Sequence, residues 1–175
     1  MARVRILQKD DVHPIAREMF QKSEDTTGRV LNLFRVLAHS PKICRDWNRM
    51  GATILLKGEL DKRLMELAVI RVGELAQAEY ELIAHRALGM RFGLTQAQID
   101  GIADWQSAFV FDEIETLVLQ YTDAVALNIR VPDELFEDLQ AHFNEREIVE
   151  LTVAIGFYGM VARTLEALEV DLEAP

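Results

Sequence analysis

The fold of this chain is decided by residues 66–95, which read ELAVIRVGELAQAEYELIAHRALGMRFGLT. Apolar residues in the stretch 60–75 fall on one broad stripe of a helix, and residues 78–92 continue with a second helical pattern. In that second pattern Glu81 and His85 are four positions apart. This spacing puts both side chains on one face of a helix, with about 6 Å between their roots.

Glu66 is the third polar residue that could share a site with Glu81 and His85. On one unbroken helix Glu66 and Glu81 would lie about 22 Å apart, at a rise of 1.5 Å per residue. That separation is too large for one small substrate. A shared site therefore requires the chain to turn back somewhere in residues 73–78, where Gly73 weakens a helix, or a second subunit to supply one partner.

The rest of the chain carries helix start signals and few stretches that alternate with period two, so it is predicted to be all-α, with eight or nine helices. Two prolines and three pairs with capping-box or N-cap spacing mark these starts. They are Pro41, Pro132, Thr95 with Gln98, Asp112 with Glu115, and Asn144 with Glu147. Pro14 is predicted to open the first helix, which ends near Gly28. No linker or repeat is visible, so residues 1–175 are interpreted as a single domain.

The composition limits the classes of partner. The chain has 29 acidic and 19 basic residues and a net charge of −10, which argues against binding to nucleic acid. Cys44 is the only cysteine, so an intramolecular disulfide is excluded and a cytoplasmic location is favoured. The N-terminus lacks the apolar stretch of a signal peptide. The apolar stretch 148–162 contains Glu150 and is interpreted as a buried helix, so no membrane association is expected.

Residues 66–95 resemble the core of the carboxymuconolactone decarboxylase family, which is related to alkylhydroperoxidase D-like (AhpD-like) proteins. The peroxidase branch of that family has a Glu, eleven residues, Cys-x-x-Cys, three residues and a His. Glu66 and His85 stand at the Glu and His positions, and Ala78 and Glu81 stand where the cysteines would be. The resemblance extends over about residues 33–172. It implies an AhpD-like helical bundle that assembles as a homo-oligomer (dimer, trimer or hexamer), with sites near subunit contacts.

The absence of the two cysteines of the peroxidase branch argues against thiol peroxidase chemistry and favours a different reaction. Peroxidase activity needs an attacking thiolate and a resolving thiol, and Ala78 and Glu81 supply neither. The decarboxylase branch commonly has Glu-Tyr-Glu followed by His, and residues 79–85 fit that form. Some decarboxylase-like members have a His after the tyrosine of the last helix, where this chain has Gly159.

The resemblance implies a site that works by proton transfer without a cofactor or a metal. His85 is assigned as the general acid–base because an imidazole titrates near neutral pH. Glu81 is assigned as the partner that orients His85, and Glu66 as a second proton carrier or positioning group. Arg71 or Arg86 is expected to hold a substrate carboxylate.

Tyr80 is the remaining substrate-binding candidate.

The three residues proposed for catalysis also have structural interpretations. His85 could be a satisfied core histidine, Glu81 could be an ordinary helix ion-pair partner, and Glu66 could pair with Arg63 or Arg71.

Three functional hypotheses follow from these residues. The first is a lyase or isomerase that acts on a small carboxylated lactone or an intermediate of aromatic-compound catabolism. The second is an oligomeric binding or scaffold protein that has lost the chemistry. The third is a residual peroxidase that uses Cys44.

Overall fold

A computed structural model of the chain describes residues 2–173, with side chains at all of these positions except 26 and 27. Within the described residues there is no β-strand, and the prediction of an all-α chain with eight or nine helices is confirmed. The α-helices are α1 (Pro14–Thr27), α2 (Asn32–Leu37), α3 (Pro41–Lys57), α4 (Lys62–Ala76), α5 (Glu79–Arg91), α6 (Gln96–Gly101), α7 (Glu113–Asp123), α8 (Asp133–His142) and α9 (Glu145–Leu168). Short 3₁₀ turns cover Lys9–Asp11 and Ile102–Asp104, and a π-helical turn, Ala124–Asn128, follows α7.

The predicted helix starts agree with the observed caps. Thr95 with Gln98, and Asp112 with Glu115, form complete capping boxes in front of α6 and α7. Asn144 and Glu147 exchange the same pair of bonds in front of α9, at 2.9 Å and 3.0 Å. Pro132, predicted to lie in the first turn of its helix, is instead the N-cap directly before the first residue of α8. Local capping chemistry therefore marks the starts of α6, α7 and α9.

The chain forms two compact units, Met1–Leu56 with Thr164–Pro175, and Lys57–Arg163. In the first unit a buried apolar cluster includes Phe20, Val30 and Cys44. The C-terminal segment is held beside α2, because the Asn32 backbone N–H donates to the Glu173 carboxylate at 2.7 Å and Asn32 Nδ2 donates to the Asp171 carbonyl at 3.1 Å. The prediction of one domain for residues 1–175 stays a prediction.

The second unit is built around α4, which packs against α5 and α7. Nine of its fifteen residues are buried, among them Glu66. This burial explains why the apolar stripe in residues 60–75 is so broad: α4 has neighbours on several sides. A carboxylate on such a helix is removed from water and needs a partner.

The chain turns back between α4 and α5 within two residues. Gln77 adopts a left-handed conformation with φ 53° and ψ 36°. The Ala78 N–H donates to the Gly73 carbonyl at 3.0 Å, and the Gln77 N–H donates to the Glu74 carbonyl at 3.1 Å. These two bonds are the Schellman pattern that ends a helix. The predicted break within residues 73–78 is therefore present, and it lies at the late end of that range.

Gly73 has a different role from the one expected. Helix α4 continues through Gly73, so this glycine does not end it. A Cβ atom at position 73 would lie 3.0 Å from Leu82 Cδ2 and 3.7 Å from Glu81 Cβ. The missing side chain thus allows α5 to approach α4 closely, which brings Glu81 near the inner face of α4.

Helix α9 is long and apolar enough to cross a membrane by length and composition alone. Its best 18-residue window has a mean hydropathy of 1.4, and 56% of that window is buried in the protein. Leu151, Ala154 and Ile155 are almost fully buried. This burial fits the core helix that the sequence predicts for residues 148–162, although the helix is 24 residues long.

Candidate active site

Glu66 of α4 and His85 of α5 form a hydrogen-bonded pair inside the second unit. The distance from His85 Nδ1 to Glu66 Oε2 is 2.8 Å, and the exposed fractions of the two side chains are 8% and 1%. A carboxylate can only accept, so the hydrogen of this bond belongs to Nδ1. When His85 is neutral, Nε2 is then the free basic nitrogen.

Glu81 lies on the other side of the imidazole. Its Oε2 is 3.9 Å from His85 Nε2, beyond hydrogen-bonding distance. The orienting bond to His85 is therefore made by Glu66, whereas the sequence assigned that role to Glu81. Glu81 instead faces the nitrogen that is free to exchange a proton.

Burial changes the acidity of Glu81. Removal from water raises the pKa of Glu81 to about 7, with the Glu66 charge adding to this effect and His85 opposing it. Glu81 is therefore divided between its acid and carboxylate forms near neutral pH. A carboxyl group in this state can both accept and release a proton under ordinary conditions.

Tyr158 of α9 is a member of the site that the sequence analysis missed. Its ring makes an edge-on contact with the His85 ring, with 4.6 Å between centroids and 80° between planes. Burial raises the pKa of the Tyr158 hydroxyl above its usual value, and the charges of Glu66 and Glu81 raise it further. The hydroxyl therefore stays protonated. Tyr158 directly precedes Gly159 in the sequence, but no spacing rule connects it to a histidine in α5.

Glu66 has one oxygen without a partner. Oε1 is buried and accepts no hydrogen bond from any described residue, whereas Oε2 binds His85. A buried carboxylate oxygen left unpaired is unfavourable unless a ligand or water supplies a donor. No group of three or more His, Cys, Asp or Glu side chains within the described residues is arranged to hold a metal ion.

Arg71 lies in a separate polar cluster. Its Nε and Nη2 donate to the two carboxylate oxygens of Asp123 at 2.6 Å and 2.9 Å, and Nη1 donates to the carbonyls of Ile102 and Ala103 at 3.2 Å and 2.8 Å. Trp105 Nε1 also donates to Asp123, at 3.0 Å. The guanidinium that was expected to hold a substrate carboxylate thus fixes the end of α7 to the 3₁₀ turn.

We expect Asp123→Asn to lower the free energy of unfolding by about 2 kcal/mol, because it removes the charge that a largely buried guanidinium needs. The side chains of Arg71 and Asp123 are only 11% and 18% exposed. Urea unfolding followed by circular dichroism measures the change. Asp138→Asn, at an exposed position of α8, is the matched control and should stay within about 0.5 kcal/mol of the wild type. Equal stability of the two variants would contradict the structural role of this pair.

Two further arginines, Arg86 and Arg63, also have other partners. Arg86 Nη2 donates to Glu74 Oε1 at 2.5 Å in a partly exposed pair. Arg63 pairs with Glu115, which also accepts from Gln98 Nε2 at 2.6 Å. Glu66 therefore pairs with neither of the arginines proposed for it. Tyr80 is half-buried in the first turn of α5.

Cys44 lies in the first unit, away from these residues in the chain. Its side chain is fully buried, and Sγ is 3.6 Å from Met19 Sδ and 3.5 Å from the Phe34 carbonyl. Burial raises the pKa of this thiol to about 11. The thiol is therefore protonated at neutral pH, which is the opposite of what a peroxide-reducing cysteine requires.

Comparison with known proteins supports the family assignment. Residues 41–124 match the model of the carboxymuconolactone decarboxylase family. The uncharacterized protein YnjA of Escherichia coli (strain K12) is 28% identical over 119 residues, which cover 67% of this chain and 65% of YnjA. This chain therefore spans slightly less than two thirds of the length of that relative.

Solved structures share the architecture. The AhpD core of an uncharacterized peroxidase-related protein from Ralstonia eutropha JMP134 superimposes with a TM-score of 0.85 at 20% identity, covering 98% of this chain and 92% of that one. A variant of the debrominase Bmp8, in complex with 2,3,4-tribromopyrrole, gives a TM-score of 0.80 at 19% identity and covers 98% and 91%. These identities are low enough that the likeness concerns the fold. Residues 41–124 are therefore similar to the carboxymuconolactone decarboxylase family, and the chain that contains them has the AhpD-like fold.

Proposed function

We propose that the chain is a cofactor-independent lyase or isomerase that moves protons on a small lactone or related enolisable ring compound. The observation that carries this proposal is the 2.8 Å bond between His85 Nδ1 and Glu66 Oε2. It fixes the tautomer of the imidazole and leaves Nε2 free as the base. The match of residues 41–124 to the carboxymuconolactone decarboxylase family supports the same class of reaction.

The proposed isomerisation balances without an external reactant. His85 Nε2 takes a proton from a carbon next to the carbonyl, and the electron pair of the broken C–H bond is delocalised over the ring as a dienolate. The imidazolium then returns the proton to a different carbon of the conjugated system. In a decarboxylation, the broken bond is C–C, carbon dioxide leaves, and the protonated imidazole supplies the proton to the same dienolate.

The neighbours of His85 suit both directions of this transfer. Glu66 stabilises the imidazolium through the Nδ1 hydrogen bond, since a charge-assisted bond strengthens when the ring becomes cationic. Glu81, with a pKa of about 7, can take up the proton or supply it next to Nε2. The Tyr158 ring packs against the imidazole and limits its rotation.

Hydrogen exchange at carbon tests this proposal without knowledge of the physiological reaction. Enolisable lactones and cyclic ketones, such as α-angelica lactone, are incubated with the protein in heavy water and followed by proton NMR. We expect faster loss of the C–H signal, or migration of the double bond, than in protein-free solution. Solvent-level rates across uncharged and carboxylated members of the series would contradict the proposal.

The second candidate function is an oligomeric scaffold, and the outer face of α5 favours it. Ile83, Ala87 and Met90 follow helical spacing and are exposed, Ile83 by 56% and Met90 by 47%. The inner face of the same helix buries Glu81 and His85. An apolar outer face with a polar inner face reverses the pattern of an ordinary surface helix. Apolar faces of this kind commonly mark sites of association.

We therefore expect the protein to self-associate through the outer face of α5. Light scattering during size-exclusion chromatography should give at least twice the mass of one chain, and Ile83→Lys should shift the protein towards a single chain. Phe109→Lys is the control, because Phe109 is a fully exposed aromatic residue before α7. An unchanged mass in Ile83→Lys would rule out this face as the contact. An intact oligomer without any exchange activity would favour the scaffold.

A further inference from the structure

We propose that the Glu66–His85 site binds an uncharged molecule that donates a hydrogen bond from an O–H or N–H group to Glu66 Oε1, such as an enol, a phenol or an N–H heterocycle. This inference rests on the proposed function and narrows its substrates to enolisable ring compounds that carry an O–H or N–H group and no carboxylate, which favours isomerisation over decarboxylation. It also replaces the carboxylated substrate that the sequence analysis expected. Two observations carry it: the arrangement of charges around His85 and the unpaired oxygen of Glu66.

The charges around His85 disfavour an anion. Two carboxyl groups, Glu66 and Glu81, flank a single imidazole, and Tyr158 is neutral. A substrate carboxylate about 4 Å from an ionised glutamate in a partly buried site would bind on the order of a thousandfold more weakly than a neutral analogue. Neither of the two arginines that the sequence assigned to a substrate carboxylate is free to offset this effect. The guanidinium of Arg71 is held by Asp123, and that of Arg86 by Glu74.

The unpaired oxygen of Glu66 favours a ligand that carries a hydrogen-bond donor. Glu66 Oε1 is buried without a partner, so a ligand that brings an O–H or N–H satisfies it, whereas an ether or ester oxygen would repel it. Loss of a hydrogen bond to a charged acceptor weakens binding by about tenfold or more. The side chains of His85 and Glu81 keep 8% and 7% exposure, so this edge of the site is not completely closed to solvent.

Three ring compounds of similar size test both features. Phenol is neutral and donates a hydrogen bond, anisole is neutral without a donor, and benzoate is an anion. Dissociation constants are obtained from chemical-shift titrations of the ¹⁵N-labelled protein, with the His85 side-chain resonances as the local probe. We expect phenol to bind at least about tenfold more tightly than anisole, and benzoate to bind more weakly than both.

Glu66→Gln is the matched variant. Its amide oxygen can still accept from His85 Nδ1, and its amide NH₂ then replaces Oε1, so the preference for phenol over anisole should disappear or reverse. Equal binding of phenol and anisole to the wild type would overturn the inference. Benzoate binding that is lost in Arg86→Ala would also overturn it, because Arg86 would then hold a substrate carboxylate.

The result of these binding titrations is independent of the hydrogen-exchange experiment that tests the proposed function. Glu66-dependent binding of phenol in a protein that exchanges no carbon-bound hydrogen would support the ligand class and contradict the catalytic proposal. His85-dependent exchange on carboxylated compounds alone would support catalysis and contradict the ligand class. The first experiment measures dissociation constants, and the second measures rates of hydrogen exchange at carbon.

Discussion

Replacement of His85 by alanine is expected to lower the rate of carbon-bound hydrogen exchange by a factor of about 10² to 10⁴, the usual contribution of a positioned general acid–base. The structure gives this residue the central position, with Nδ1 bound to Glu66 and Nε2 facing Glu81. Both carboxyl groups lie beside the imidazole, so we expect His85 to carry the main proton transfer and its loss to outweigh that of either glutamate. The measurement is the initial rate of signal loss in heavy water.

The alanine variant also leaves the buried carboxylate of Glu66 without its partner, which lowers stability. His85→Gln is therefore measured alongside it, because a glutamine amide can still donate to Glu66 but cannot shuttle a proton. His142→Ala, at the exposed end of α8, is the control and should keep the wild-type rate. A folded His85→Gln protein with the wild-type rate would remove His85 from the mechanism.

The architecture of the chain was open to prediction because its determinants are local. Capping pairs such as Thr95 with Gln98 satisfy the free N–H groups of the next helix. The turn after α4 was harder to predict, because Gln77 takes a left-handed conformation that glycine usually occupies. The requirement that Glu66 and Glu81 share a site, rather than local propensity, pointed to a turn there. Gly73, which propensity favours as the breaking point, instead permits the close packing of two helices.

The partners within the candidate site were only partly predictable. The sequence places Glu81 and His85 one helical turn apart, which made Glu81 the natural partner of the imidazole. The observed partner is Glu66, because the α4–α5 hairpin brings its carboxylate to Nδ1. The sequence does not show whether Arg71 is a structural or a ligand-binding arginine, because its partner Asp123 is brought close only by the fold. Tyr158 reaches His85 in the same way.

Replacement of Glu81 by glutamine is expected to stabilise the folded protein by about 3 kcal/mol at about pH 8 and to leave its stability almost unchanged at pH 4.5, the ordinary pKa of the carboxyl group. The folded state holds the Glu81 proton up to a pKa of about 7, whereas the unfolded chain releases it near 4.5. Between these values the folded state binds more protons, so its stability falls as the pH rises. Above about 7 both states are ionised, and the penalty for burying the charge is constant.

Glutamine has the shape of the protonated acid and cannot ionise, so the variant lacks this penalty at every pH. The measurement is the difference in free energy of unfolding between variant and wild type, from urea titrations across this pH range. Glu79→Gln makes the same change at an exposed position of the same helix. It should lower stability slightly and with little pH dependence, because it removes only a favourable charge at the helix N-terminus. A difference for Glu81→Gln that does not grow with pH would show that Glu81 ionises normally. A stabilised variant that has also lost exchange activity would mean that the buried carboxyl group is kept for its chemistry, against the stability of the fold.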